Sequence, residues 1–180
     1  MATYVALLRG INMAGHKKVA MADLCDLLVR LGLTDVQSAL QSGNLVFRCR
    51  ARPGDQLEHL LQTEIAKHLR VQTDCFVRSA SEWQLVIGGN PFREEAARDP
   101  AHLVVMLLKH APEARQVRAL RAAVPGPERV SAGARHLYVV YSAGIGISKL
   151  TTAAIDKHLA TRCTGRNWNT VLKLGTLTGG

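Results

Sequence analysis

The 180-residue sequence lacks the long apolar segments that place a protein in a membrane. No apolar run approaches the roughly 18 to 20 residues that a membrane-spanning helix needs. The N-terminus enters a strand-like segment without the layout of a signal peptide. We therefore expect a cytoplasmic protein that makes no membrane contact.

Cysteine and histidine are also sparse and scattered. The four cysteines lack the short paired spacings of a zinc site or a thiol-redox motif, and the seven histidines show no metal-ligand or triad spacing. We predict reduced thiols, mostly buried as small core residues, and neither a metal nor a cofactor. The cysteines are Cys25, Cys49, Cys75 and Cys163.

Aromatic residues make up only 4% of the chain, which argues against an RNA-recognition sheet, since such a sheet stacks bases on exposed aromatic rings. Positive charge is in excess: 23 Lys and Arg stand against 14 Asp and Glu, a formal net charge of +9. Such a field attracts phosphate, nucleic acid or an acidic protein. Alternatively, the excess of positive charge belongs to a solvated arginine-rich surface without a binding role. Both interpretations also apply to the basic stripe of Arg115, Arg118 and Arg121 on one predicted helix.

The order of the predicted elements indicates an α+β fold of two related halves. Residues 1–78 follow the order β-α-β-β-α-β, and 102–180 follow β-α-β-β-α with a C-terminal helix in place of a closing strand. Residues 79–101 form a connecting helix and loop. Both first strands end in a basic residue, Arg9 and Lys109. We predict an internal duplication of two ferredoxin-like βαββ-type halves plus a C-terminal helix.

The strongest candidate for a binding site is the loop after the first strand. An apolar strand ends in Arg9, and a glycine-bearing loop follows with Lys17 and Lys18. In a ferredoxin-like half the third strand lies antiparallel to the first, so the end of strand one meets the turn 41–44. The first helix opens on the same edge, where its N–H groups favour an anion. These features predict one basic, polar, anion-binding edge.

The same loop does not match a P-loop. Gly10 and Gly15 have the required spacing, but His16 takes the lysine position and Lys17 the hydroxyl position. The sequence therefore predicts no nucleoside triphosphatase of that type. A looser nest of backbone N–H groups and a plain connection with solvated lysines both remain open.

A second polar group lies near the C-terminus, where residues 164–170 crowd donors and acceptors around Trp168. One asparagine suffices to cap a helix, so the remaining polar residues suggest the wall of a pocket. No catalytic residue is predicted. The predicted ligand-binding residues are Arg9, Asn12, Lys17, Lys18, Gln41, Ser42, Asn44, Lys149, Arg166, Asn167 and Asn169.

Five separated motifs together resemble the bacterial DUF1697 family, a domain of unknown function. The resemblance spans nearly the whole chain and implies a cytosolic α+β protein of two related halves, without supplying a reaction. The motifs are LLRGIN with Gly15 and Lys18, MADL, QSGN followed by two apolar residues and Phe47, SKLT, and RNWNTV followed by an apolar residue, Lys173 and Leu174.

Three functions are compatible with these observations. The first is a binding module for a phosphorylated small molecule or a nucleic-acid backbone. The second is an enzyme without a covalent intermediate, in which Arg9 stabilises developing negative charge. The third is an interaction module whose basic faces meet acidic protein partners.

Overall fold

The computed structural model describes residues 1–12, 18–40 and 42–179. Within these residues the chain contains eight strands and seven α-helices, and it divides into two units. The first unit comprises Met1–Leu85 with Lys173–Gly180, and the second comprises Val86–Leu172. The domain limits expected from the sequence, 1–78, 79–101 and 102–180, remain a prediction. No helix of the described ranges is long and apolar enough to cross a membrane.

A four-stranded antiparallel sheet organises the first unit. Its strand order is β2-β3-β1-β4, so the first strand is paired on both sides. The strands are β1 (Ala2–Leu8), β2 (Thr34–Ala39), β3 (Asn44–Cys49) and β4 (Cys75–Ser79). The helices α1 (Met21–Arg30) and α2 (Gly54–Leu69) complete the predicted βαββαβ order, and α3 (Ala80–Gly88) and α4 (Arg93–Arg98) follow.

The helix α1 forms because its leucines recur at helical spacing. Leu24, Leu27 and Leu28 are fully buried and belong to one apolar cluster with Ala6 and Leu8 of β1. Burial of a leucine side chain contributes about 1.5 to 3 kcal/mol. This packing fixes the end of β1 relative to the helix.

The second unit repeats the arrangement. Its strand order is β6-β7-β5-β8, again with the first strand of the unit paired on both sides. The strands are β5 (Leu103–Leu108), β6 (Arg129–Ala132), β7 (His136–Val140) and β8 (Cys163–Asn167). Its helices are α5 (Ala114–Ala123) and α6 (Thr152–Leu159), with a 3₁₀ turn at Ile145–Ile147. The helix α7 (Trp168–Leu177) begins in this unit, and its residues from Lys173 onward belong to the first.

Equivalent backbone hydrogen bonds also occur within each of the two units. The N–H of Leu8 donates to the carbonyl of Gly43 at 2.8 Å, and the N–H of Leu108 donates to Arg135 at 2.9 Å. The N–H of Arg9, just after β1, donates to the carbonyl of Asp74, just before β4, at 3.0 Å. In the same way, the N–H of Lys109 after β5 donates to the carbonyl of Arg162 before β8 at 3.1 Å. The predicted α+β fold of two similar halves with a C-terminal helix is confirmed, and the similarity is consistent with duplication.

Two elements differ from the sequence prediction. The expected C-terminal helix begins at Trp168, and the strand β8 precedes it, so the second half does have a closing strand. The segment Cys163–Asn167 has little apolar periodicity, but the open edge of the fully buried β5 pairs with it. Gly165 permits the close approach, since a Cβ there would lie 2.7 Å from the sulfur of Met106. In addition, α4 occupies part of the expected surface connection 93–100.

Candidate functional site

The end of β1 lies beside the tip of the β2–β3 hairpin. Leu7 pairs with Asn44 in antiparallel register, and the N–H of Leu8 donates to the carbonyl of Gly43. Arg9 is the next residue, so it follows directly after the pair that joins β1 to β3. The register therefore brings the chain at Arg9 next to the turn that carries the QSGN motif.

The backbone of Arg9 is held on its other side by the segment before β4. Its N–H donates to the carbonyl of Asp74 at 3.0 Å, and its carbonyl accepts a hydrogen bond from the Thr73 hydroxyl at 2.8 Å. The residue is half-buried. The guanidinium thus starts from a fixed backbone position at the edge of the sheet.

Gly43 explains why the two motifs meet. Its φ of +71° lies in the left-handed region that favours glycine. A Cβ at this position would lie 2.7 Å from Cδ1 of Ile11 and 3.0 Å from Cβ of Leu8. Only a residue without a side chain lets the hairpin tip close onto LLRGIN.

Asn44 is fully buried, and its amide acts inside the hairpin. Nδ2 donates to the carbonyl of Ala39 at 2.9 Å and lies 3.0 Å from the hydroxyl oxygen of Ser42. The side chain therefore positions the turn, whereas Ser42 is exposed at its tip. In a ligand site on this edge, Asn44 would act through Ser42.

Asn12 closes the loop that leads to α1. Its Nδ2 donates to the carbonyl of Val19 at 2.8 Å, and its Oδ1 accepts from the N–H of Val19 at 2.8 Å. Nδ2 also lies 3.8 Å from the sulfur of Met21, the first residue of α1. The start of the helix and the end of β1 are thus tied to the same edge, and Lys18 is exposed beside this clamp.

The N-terminus of α1 begins without a side-chain cap. Its N-cap residue is Ala20, whose methyl group cannot accept a hydrogen bond. Helix N-termini carry partial positive charge on their first N–H groups. These N–H groups favour an anion, in the same direction as Arg9 and Lys18, whereas the carboxylate of Asp23 in the first turn of α1 opposes it.

The remaining residues of the predicted set are Lys17, Gln41, Lys149, Arg166, Asn167 and Asn169. Lys17 and Gln41 fall outside the described residues. Lys149 and Asn169 are exposed residues of the second unit. Also in that unit, Asn167 caps α7, because its Oδ1 accepts from both the N–H and the hydroxyl of Thr170 at 3.0 Å.

Arg166 is held within its own strand. Its Nη1 donates to the carbonyl of Gly165 at 2.8 Å and to the hydroxyl of Thr164 at 3.1 Å. Desolvation by burial lowers the pKa of the Arg166 guanidinium to about 10. The group is still charged at neutral pH, and its hydrogen bonds fix its orientation.

Sequence reasoning missed Thr73 and Asp74, which hold Arg9 from the β4 side. Both residues lie just before β4, which begins at Cys75. The available signal was topological, because the start of an outer strand antiparallel to β1 must lie at the end of β1. Two adjacent polar residues before that strand mark the same edge.

Comparisons with known proteins agree with the fold described above. The solved structure of the conserved bacterial protein SP0830 from Streptococcus pneumoniae is similar with a TM-score of 0.72 and 24% identity, over 98% of each chain. No functionally curated protein matches this sequence. The family model described as "Protein of unknown function (DUF1697)" matches residues 1–138. The chain therefore belongs to the DUF1697 family, as its five motifs predicted.

Proposed function

We propose that the edge of the first unit formed by Arg9, Lys18 and Ser42 binds a phosphate group, carried by a small molecule or by a nucleic-acid backbone. The observation that carries this proposal is the register Leu7–Asn44, which sets Arg9 beside the hairpin turn. Lys17 and Gln41 flank these residues in sequence and complete the proposed set.

The residue types suit phosphate. Arginine offers a planar fork of donors that matches phosphate oxygens, whereas lysine contributes a compact point charge. A serine hydroxyl and the first N–H groups of a helix add neutral hydrogen-bond donors for the phosphate oxygens. The formal net charge of +9 adds a long-range attraction for anions.

The geometry also favours a fixed site over a flexible one. Thr73 and Asp74 hold the backbone of Arg9. Asn44 holds the turn, and Asn12 holds the ends of the loop. A ligand that meets preorganised donors loses less binding energy to ordering the protein. Three neighbouring segments of the chain are therefore arranged in advance of binding.

Isothermal titration tests this proposal. Adenine and guanine nucleotides and a short single-stranded RNA would be titrated into the intact protein at low and at moderate salt. Because a hydrogen bond to a charged group contributes about 1.5 to 3 kcal/mol, Arg9→Ala should weaken binding by about tenfold or more. Binding of the RNA should fall more steeply with salt than binding of a mononucleotide.

The matched control is Arg50→Ala. Arg50 is exposed and follows the C-terminal end of β3. Its substitution therefore removes the same charge from the same unit, at the opposite end of the strands. The proposal requires Arg50→Ala to bind nearly as well as the wild type. Equal losses in both variants would reduce the effect to net charge, and unchanged binding in Arg9→Ala would remove the site.

A further inference from the structure

The second unit contains a groove of about 400 Å³. Small-molecule sites in proteins usually range from about 300 to 1,000 Å³, so the groove has room for a small organic ligand. It brings together the turn after α3, the helix α4 and the start of α7. Its lining includes Ile87, Asn90, Arg93, Ala96, Ala97 and Trp168.

Asn90 is a buried polar residue in the wall of this groove, with 5% of its surface exposed. Its Oδ1 accepts a hydrogen bond from the N–H of Phe92 at 2.9 Å, which fixes the orientation of the amide. Its Nδ2 has no hydrogen-bond partner among the described residues. Because Asn90 lines the groove, this donor is open to an acceptor from outside the protein.

Trp168 presents a second donor in the same wall. The residue is 5% exposed, and its backbone N–H donates to the carbonyl of Pro100 at 3.1 Å, which anchors the start of α7. The indole N–H can only donate, and within the described part of the chain it has no acceptor. Two side chains that line one groove thus carry N–H donors without a partner among the described residues.

Arg93 adds positive charge. It is exposed at the first position of α4, and its guanidinium has no ion pair or hydrogen bond with any residue that the structure describes. The nearby Glu95 carboxylate forms an ion pair with Arg129 and accepts a hydrogen bond from it, which lowers the pKa of that carboxyl. The described lining of the groove contains no carboxylate of its own.

We infer that this groove binds a small organic carboxylate. The unpartnered polar groups of its lining side chains are the donors of Asn90, Trp168 and Arg93, so a complementary ligand group is one that accepts. A carboxylate accepts up to four hydrogen bonds in a plane and matches the arginine fork. The methyl groups of Ala96 and Ala97 provide an apolar surface for the body of the ligand.

Two-dimensional ¹H–¹⁵N NMR of the full chain tests the inference with benzoate as the probe. Benzoate should shift the indole N–H signal of Trp168 and the side-chain amide signals of Asn90 in a saturable manner, with a dissociation constant on the order of 1 mM. The signals are assigned from Trp168→Phe and Asn90→Asp. Benzyl alcohol, which has the same ring without the charge, should leave both signals nearly unchanged.

Variants separate specific binding from surface charge. Arg93→Gln should weaken benzoate by about tenfold, whereas Arg98→Gln, an exposed residue of the same helix outside the groove, should bind like the wild type. Asn90→Asp keeps the acceptor for Phe92 but replaces the donor by a negative charge, so it should abolish binding in a folded protein.

Three results would overturn the inference. The first is the lack of a saturable shift of the Trp168 signal with benzoate up to about 20 mM, twentyfold above the expected dissociation constant. The second is equal binding by wild type and Arg93→Gln. The third is tighter binding of phenyl phosphate than of benzoate, because the groove would then recognise phosphate.

Discussion

The two units differ in the connection from the first strand of each sheet to the helix that follows it. The connection from β1 to α1 spans residues 9–20, whereas the connection from β5 to α5 spans only 109–113. The helix α1 begins after Ala20, which cannot cap it, but α5 begins with a full capping box between Glu113 and Gln116. The same fold therefore carries an uncapped helix start in one unit and a capped one in the other.

This difference indicates which unit is suited to an anion. In the second unit the Glu113 carboxylate itself accepts the backbone N–H of Gln116, so the protein supplies its own anion at the helix N-terminus. In the first unit no side-chain carboxylate occupies the N-cap position, although Asp23 lies in the first turn of α1, and the longer loop adds lysines. The uncapped start and the lysines favour the first unit over the second for the proposed phosphate site, although Lys109 corresponds to Arg9.

The largest effect is expected from Gly43→Ala in the hairpin of the first unit. The new methyl group would overlap Ile11 and would also occupy the left-handed region. Strain and overpacking together should lower the free energy of unfolding by about 3 kcal/mol. Urea denaturation followed by circular dichroism measures the change.

The control for this substitution is Gly10→Ala. Gly10 has a similarly positive φ of +64°, but no atom lies within 4 Å of the position of its added Cβ. Only the backbone strain remains, so the loss should be about 1 to 2 kcal/mol. Equal losses in the two variants would show that contact with Ile11 does not hold the hairpin tip.

A smaller effect should follow when the cap of the second unit is imitated in the first. Ala20 has the extended backbone of an N-cap residue, with φ −66° and ψ 126°. Ala20→Asp should raise the free energy of unfolding by about 1 kcal/mol and weaken nucleotide binding several-fold, because its carboxylate competes with phosphate. Denaturation and calorimetric titration measure the two changes.

Ala20→Ser separates the cap from the charge. Serine also accepts the first helical N–H groups, so it should stabilise the protein similarly while weakening nucleotide binding less than aspartate does. If both variants bind nucleotides like the wild type, the start of α1 takes no part in the site, and the contrast between the two units is structural only.

The apolar patterns were sufficient to predict most of the fold. Leu24, Leu27 and Leu28 define the buried face of α1, and the glycine at position 43 marks the hairpin beside β1. The predicted βαββαβ order of residues 1–78 indicates a ferredoxin-like half, in which the first strand pairs with the third, as β1 does with β3. The strand β8 could not be predicted, because its formation depends on the open edge of β5 more than on its own residues.

The direction of polar side chains was the other limit of sequence reasoning. Asn12 and Asn44 belong to motifs that suggest ligand contacts, yet both amides bond to the protein's own backbone. A sequence does not distinguish an asparagine that faces a ligand from one that closes a turn, since both roles favour the same residue. Likewise, only tertiary packing brings Asn90 to the same groove as Trp168.

The smallest effect concerns the second unit at alkaline pH. The hydroxyl of Tyr138 donates to the carbonyl of Val86 at 2.7 Å, and burial raises the pKa of this tyrosine to about 12. An unfolded tyrosine loses its proton near pH 10, so between about pH 10 and 12 the unfolded chain binds fewer protons than the folded one. The contribution of Tyr138 is therefore complete below pH 10 and is lost as the pH rises through 12.

Tyr138→Phe should make the decline of stability between about pH 10 and 12 less steep, because the variant lacks one group that favours the unfolded state there. Its loss of the bond to Val86 lowers stability below about pH 10, and this difference from the wild type shrinks as the pH rises through 12. Urea denaturation at a series of pH values measures the slope in variant and wild type. Identical slopes would mean that Tyr138 ionises as readily in the folded second unit as in the unfolded chain, and alkaline sensitivity would then have to come from other groups, such as the buried Tyr141.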